Sequence, residues 1–92
     1  MTHDIQHDSV RQRYFVVIDG VEAYLTYERP KSGHRHITHT IVPEALGGRG
    51  LGKRLVTQIM KDVIIAKETV SSSCWFASGL IDKTPEWAGL SA

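Results

Sequence analysis

His39-Thr40-Ile41-Val42-Pro43-Glu44-Ala45-Leu46-Gly47-Gly48-Arg49-Gly50-Leu51-Gly52-Lys53-Arg54-Leu55 joins a β-branched run, a proline stop, four glycines in six residues and the first turn of a helical pattern. Pro43 cannot donate to a sheet ladder, so the strand read from His36 to Val42 ends there. Beyond the glycines, Leu51, Leu55, Ile59, Met60, Val63 and Ile64 recur at helical spacing, while Lys53, Arg54, Lys61, Asp62 and Lys67 fall on other faces. The pattern predicts an amphipathic helix of about eighteen residues, ~27 Å long, lying on a sheet.

Upstream, Tyr14-Phe15-Val16-Val17-Ile18, the hairpin pair Asp19-Gly20 and the alternating Val21 to Tyr27 make an antiparallel hairpin. Pro30 to Gly33 supplies turn residues, and the run to Val42 extends the hairpin into a three-stranded meander. Downstream, Val70 to Ser73 reads as a short fourth strand, parallel to the third because a helix connects them. Trp75 to Lys83 is a second, shorter helix that stops before Thr84-Pro85, and Thr84 is positioned to cap a last turn from which Trp87 and Leu90 fold back. The expectation is an α/β fold with a mixed sheet: an antiparallel meander, a β-α-β crossover and a short C-terminal helix. Residues 1–10 are too polar to pack and read as a flexible lead-in, which leaves 11–92 as a single domain.

Composition narrows the function classes. In 92 residues, 41% hydrophobic and 23% charged, eleven basic and ten acidic side chains leave a net charge of +1, so no basic field points to nucleic acid or to a membrane surface. The single cysteine, Cys74, excludes an intramolecular disulfide, and no apolar run resembles a secretory signal or a membrane span; a cytoplasmic location is the expectation.

The glycine-rich turn carries the chemistry. Unpaired N–H groups at a helix start attract anions, and residues without Cβ let a phosphate approach the backbone. Gly48 and Gly50 are followed by Lys53 where a dinucleotide fingerprint needs its third glycine. The nucleoside-triphosphate loop is met at Gly47, Gly52 and Lys53 but broken by Arg54, which offers magnesium no hydroxyl.

His39-Thr40-Ile41-Val42-Pro43-Glu44, Gly50-Leu51-Gly52 opening a helix, Cys74-Trp75-Phe76 and Pro85-Glu86-Trp87 together resemble the short single-domain members of the GNAT N-acetyltransferase superfamily, over roughly Arg13 to Leu90. The resemblance implies an acetyltransferase that takes acetyl-coenzyme A and passes its acetyl group to an amine on a small molecule, peptide or protein. It puts the pyrophosphate wrap on Gly47, Gly48, Arg49, Gly50, Leu51, Gly52 and Lys53, with Arg49 or Arg54 as added cation, and the pantetheine contact on Ile41 and Val42. The sequence departs from the family pattern at Gly47, where Gln or Arg is usual, at Ser72 for proline, at Leu80 for an aromatic and at Thr84 for histidine. The other class consistent with so short a chain is a non-catalytic coenzyme-A-binding or protein-interaction module.

Cys74 stands at a helix start, where the dipole favours a thiolate, although a lone cysteine is more commonly a small buried hydrophobe. The resemblance places it near the acetyl end of the cofactor. It also sets His39 just ahead of the pantetheine strand, where a neutral imidazole can take a proton from the incoming amine, structural packing being the alternative. Strand alternation puts His34 and His36 on one face and His39 on the other, so no metal site is expected. The aromatic residues from Tyr14 to Trp87 read as core.

Overall fold

The computed structural model describes residues 4–91. Five strands, β1 (Gln6–Asp8), β2 (Arg13–Ile18), β3 (Val21–Lys31), β4 (His34–Ile41) and β5 (Thr69–Ser72), form one sheet in sequential order. β1 to β4 are antiparallel neighbours, and β5 runs parallel to β4 after the connection through helix α1 (Leu51–Ala66). Helices α2 (Trp75–Lys83) and α3 (Pro85–Ala88) follow. The chain then returns to the free edge of β5, where the Val70 N–H donates to the Leu90 carbonyl at 2.9 Å.

α1 lies across β2, β3 and β4. Its Leu55, Val56, Ile59, Met60 and Val63 are fully buried against Tyr14, Val16, Ala23, Leu25 and Ile37 of the sheet. Truncating one of the larger of these to alanine would cost about 2–5 kcal/mol in lost transfer energy and residual cavity. The apolar stripe is rotated slightly from the sequence expectation: Val56 is inside, and Ile64 is 46% exposed. The helix has sixteen residues and stops at Lys67, whose left-handed backbone (φ 58°) lets the Glu68 N–H reach the Val63 carbonyl at 2.9 Å.

Two sequence expectations change, one at the sheet edge and one in its central strand. Residues 6–8, expected in a flexible lead-in, form edge strand β1; residues 1–3 of that lead-in lie outside the described residues. Packing here is polar and aromatic, and so escapes a hydrophobic pattern: the His7 ring stacks on Tyr14 at 4.1 Å and its Nε2 bonds the Tyr27 hydroxyl at 2.7 Å. β3 extends through Pro30, which sits in an irregularity between Glu28 and Lys31 where no ladder donor is required.

A second irregularity matters more. Thr26 pairs with His39 and Tyr27 with Ile37, so Thr38 bulges out of β4 with no partner opposite. The Thr38 hydroxyl pins the bulge, donating to the Thr26 carbonyl at 3.1 Å and meeting the Thr26 hydroxyl at 2.6 Å. The extra residue resets the alternation. His36, opposite Glu28, and His39, opposite Thr26, therefore share the face turned away from α1, contrary to the reading from simple alternation, while Thr40, opposite the buried Leu25, turns inward.

Not all aromatic residues are core. Tyr14, Tyr27 and Trp87 are buried, but Trp75, first residue of α2, is 84% exposed. Thr84 precedes α3 without capping it; its hydroxyl instead donates back to the Leu80 carbonyl of α2 at 2.8 Å.

Candidate active site

β4 and β5 pair from His34↔Thr69 to Ile37↔Ser72, and the last bond runs from the Ser73 N–H to the Ile37 carbonyl at 3.0 Å. Beyond it the bulged end of β4 continues while the other chain turns at Cys74 into α2. The strands part there, and a groove of about 590 Å³ opens between them. Thr40 and Val42 form one wall, Cys74, Trp75, Phe76 and Leu80 the other, and the glycine turn from Leu46 to Lys53 closes one end. That volume lies within the range of small-molecule sites, roughly 300–1,000 Å³.

The glycines have distinct local reasons. A 3-10 turn at Glu44–Leu46 brings the Gly47 N–H to the Glu44 carbonyl at 3.0 Å. Gly48 (φ 81°) and Gly50 (φ 71°) take left-handed conformations that residues with a Cβ adopt only under strain. Gly50 is the N-cap of α1; no side chain caps the helix, and its first turn carries no acid. The first intrahelical bond is Arg54 N–H to Gly50 carbonyl at 3.1 Å, so the N–H groups of Leu51, Gly52 and Lys53 have no acceptor within the helix. Gly52 answers to packing: a Cβ there would lie 2.9 Å from the Phe76 ring.

Cys74 occupies the opposite end. Ser72 shapes its turn, the hydroxyl accepting from the Cys74 N–H at 3.0 Å and donating to the Cys74 carbonyl at 3.0 Å. Burial pushes the thiol up, but the Ala77 N–H, the Thr40 hydroxyl, and the Phe76 and Thr40 N–H groups face the sulfur and outweigh burial, holding the thiol below its ordinary range. These donors act at longer range than formal bonds, since Cys74 makes no side-chain cap bond and the buried Thr40 Oγ1 has no partner at bonding distance among the described residues.

The structure brings Val42, Gly47, Gly48, Gly50, Leu51, Gly52, Lys53 and Cys74 to one groove. Ile41 is at the same level, but its half-exposed side chain points away, leaving only its backbone near the cleft. Arg49 is an exposed residue of the turn, outside the groove lining. Arg54 lines a neighbouring recess along α1 with Lys53 and Lys61, and Lys53 borders both. His39 is exposed on the outer face of β4. Among the described residues no group of three or more His, Cys, Asp or Glu side chains gathers as a metal site requires, and no helix is long and apolar enough to cross a membrane.

Residues 13–90 match the family model described as GCN5-related N-acetyl-transferase. The chain belongs to that family. Protein NATD1 of Xenopus tropicalis is 29% identical over 83 residues, covering 88% of this chain and 76% of that protein. The Homo sapiens NATD1 is 28% identical over 83 residues, covering 88% of this chain and 74% of its own length. The NMR solution structure of a GCN5-like protein from Staphylococcus aureus superposes with a TM-score of 0.77 at 23% identity, over 97% of this chain and 87% of that one. The mixed five-stranded sheet with its helices is thus the GCN5-related acetyltransferase fold.

Sequence reasoning did not place Thr40, Leu46, Trp75, Phe76 or Leu80 in this family member's cleft, nor Ser72 beside it. Thr40 enters only through the bulge at Thr38, which no pattern signals. Trp75 and Phe76 were read as core, and Ser72 as a mere departure from proline, whereas its hydroxyl closes the turn that aims Cys74.

Proposed function

We propose that the domain binds acetyl-coenzyme A in the cleft between β4 and β5 and transfers the acetyl group to an amine. The observation that carries this reading is a single groove running from an uncapped, acid-free helix start to a thiol surrounded by N–H and hydroxyl donors. A diphosphate suits the first end, where the partial positive charge of α1 is joined by Lys53. A thin amide-bearing arm suits the middle, where the parted strands leave backbone groups on β4 without a β5 partner.

The second end suits a thioester. Donors arranged to hold a negative sulfur at Cys74 also favour charge developing on a neighbouring acyl oxygen or leaving thiolate. The preferred chemistry is direct attack of the amine on the acetyl carbonyl within a ternary complex, with Cys74 bordering the reaction centre and His39 or a group acting through water as base. The covalent alternative, in which the Cys74 thiolate takes the acetyl group first, is balanced by release of the coenzyme thiol and return of the acetyl group to the amine.

Calorimetric titration with acetyl-coenzyme A, followed by thiol release against a panel of amines and peptides, tests the reading. Binding with turnover supports it. Binding with no turnover on any acceptor favours the non-catalytic coenzyme-A-binding module, and absence of binding at millimolar ligand overturns both.

A further inference from the structure

On the sheet face turned away from α1, five side chains of β4, β5 and the residue after it form one unbroken hydrogen-bonded chain. Thr69 Oγ1 meets His34 Nδ1 at 2.7 Å and His34 Nε2 meets Ser71 Oγ at 2.8 Å. Ser71 Oγ meets His36 Nδ1 at 2.7 Å, and His36 Nε2 meets Ser73 Oγ at 3.1 Å. Both ends are closed by a carbonyl at 3.4 Å: Gly33 beyond Thr69 and Ile37 beyond Ser73. Each imidazole has one N–H and one lone pair when neutral, and each hydroxyl donates once, so the chain is satisfied in two opposite senses. In one sense every donor points from Ser73 towards Gly33; in the other every donor points from Thr69 towards Ile37.

The geometry points to a proton relay serving the cleft and taking the place of His39 as acceptor of the amine proton, a role that rests on the acetyl-transfer reading above. Ser73 ends the chain at the rung where β4 and β5 part; it precedes Cys74 in the sequence, but its side chain lies on the outer face and not in the groove lining, so it would meet an amine that enters the opening from that face, whereas His34 is buried. Attack of a neutral amine on a thioester frees one proton at nitrogen, and departure of the coenzyme thiolate requires one at sulfur. With the donors pointing towards Gly33, Ser73 takes the amine proton and passes its own to His36 Nε2. His36 releases its Nδ1 proton to Ser71, Ser71 passes its own to His34 Nε2, His34 gives its Nδ1 proton to Thr69, and the Thr69 hydroxyl proton leaves to water. Every bond in the chain is then reversed. Running backwards, the same shifts deliver a proton at Ser73 to the leaving thiolate and restore the starting sense, so the cycle balances. Other groups facing His36 are Glu28, directly opposite on β3, and Gln12 and Arg29 of the same shallow recess. His36 and His34 act through Ser73 and are positioning residues rather than groups that touch the substrate.

Two measurements decide the proposal. The first needs no turnover: Thr69→Val removes the hydroxyl at the far end, which leaves His34 with its proton on Nε2 and forces Ser71 to donate to His36. Imidazole nitrogen NMR should show His36, two residues along the chain, shift towards its Nε2–H tautomer; a His36 spectrum identical to the parent overturns the relay. The second is kinetic, with acetyl-coenzyme A affinity measured alongside by calorimetry. Ser71→Ala and His36→Gln should lower kcat at least tenfold, keep the dissociation constant within twofold, and change both the pH profile and the solvent isotope effect. His36→Ala should regain turnover with added imidazole. An active parent with unchanged Ser71→Ala and His36→Gln turnover overturns the relay alone, whereas a parent that binds the thioester and acetylates no amine overturns the acetyl-transfer reading and the relay's role with it.

Discussion

The Thr40 hydroxyl and the Cys74 sulfur face each other across the point where β4 and β5 separate, and Thr40 acts on the thiol through both its side chain and its N–H. Thr40→Val keeps the backbone donor and the shape but removes the hydroxyl. The rate of Cys74 alkylation against pH should have its midpoint below that of a free cysteine in the parent and move upward in the variant. An unmoved midpoint would mean that the two residues are merely adjacent.

That relationship also marks the limit of what the residues declare on their own. The hairpin, the glycine turn, α1 and the Trp75–Lys83 boundaries of α2 were legible because each rests on local periodicity or turn chemistry. Strand β1 was hidden because its packing is a histidine ring on a tyrosine, and the inward turn of Thr40 was hidden because it depends on a bulge created by pairing between distant strands. Gly52 looked like part of an anion turn, yet its smallness is set by Phe76, twenty-four residues later, which no local pattern contains.

Gly50 and Gly52 should fail differently. Gly50→Ala meets no atom within 4 Å but must hold φ 71°, which costs about 1–2 kcal/mol of backbone strain and shows as lower thermal stability. Gly52→Ala has an ordinary helical backbone and instead displaces the Phe76 ring, an overpacking cost of about 1–3 kcal/mol that also narrows the groove. Acetyl-coenzyme A affinity should fall more for Gly52→Ala per degree of lost Tm. Equal affinity in that variant and the parent would separate Phe76 from the site.

Glu68 accepts from Arg35 at 2.8 Å and from Arg29 at 2.9 Å, and Arg35 is 5% exposed, also donating to Tyr14 at 2.7 Å. Burial raises the Glu68 carboxyl, but the two guanidinium groups outweigh it and hold the carboxyl below its ordinary value. The folded state therefore binds the proton more weakly than the unfolded chain. The resulting stability is complete above the ordinary carboxyl value and is lost as pH falls through the depressed one. Glu68→Gln leaves the Arg35 charge poorly compensated and should cost about 3 kcal/mol at neutral pH. It should also erase that acid limb from a plot of Tm against pH; a parallel plot would contradict the assignment.

His7 should give an acid sensitivity of its own. Burial lowers its pKa, with Arg35 and Arg29 acting in the same sense and Asp62 and Asp8 opposing, so the folded state favours the neutral ring. Stability is then complete above the ordinary histidine value of 6.5 and falls as pH drops through the lowered one. His7→Phe keeps the ring over Tyr14 and cannot charge. Between pH 8 and pH 5 the parent should lose more Tm than the variant, and equal losses would remove His7 from the account.

The most direct test of the central claim is a nitrogen-proton NMR titration of the labelled protein with acetyl-coenzyme A. The largest shifts should fall on the amides of residues 47–53, on Thr40 and Val42, and on Cys74 to Ala77, with the far sheet edge at Gln6–Asp8 unchanged. A spectrum unaffected by millimolar ligand, or shifts confined to surfaces away from the parted strands, would contradict the assignment of this groove as the thioester site.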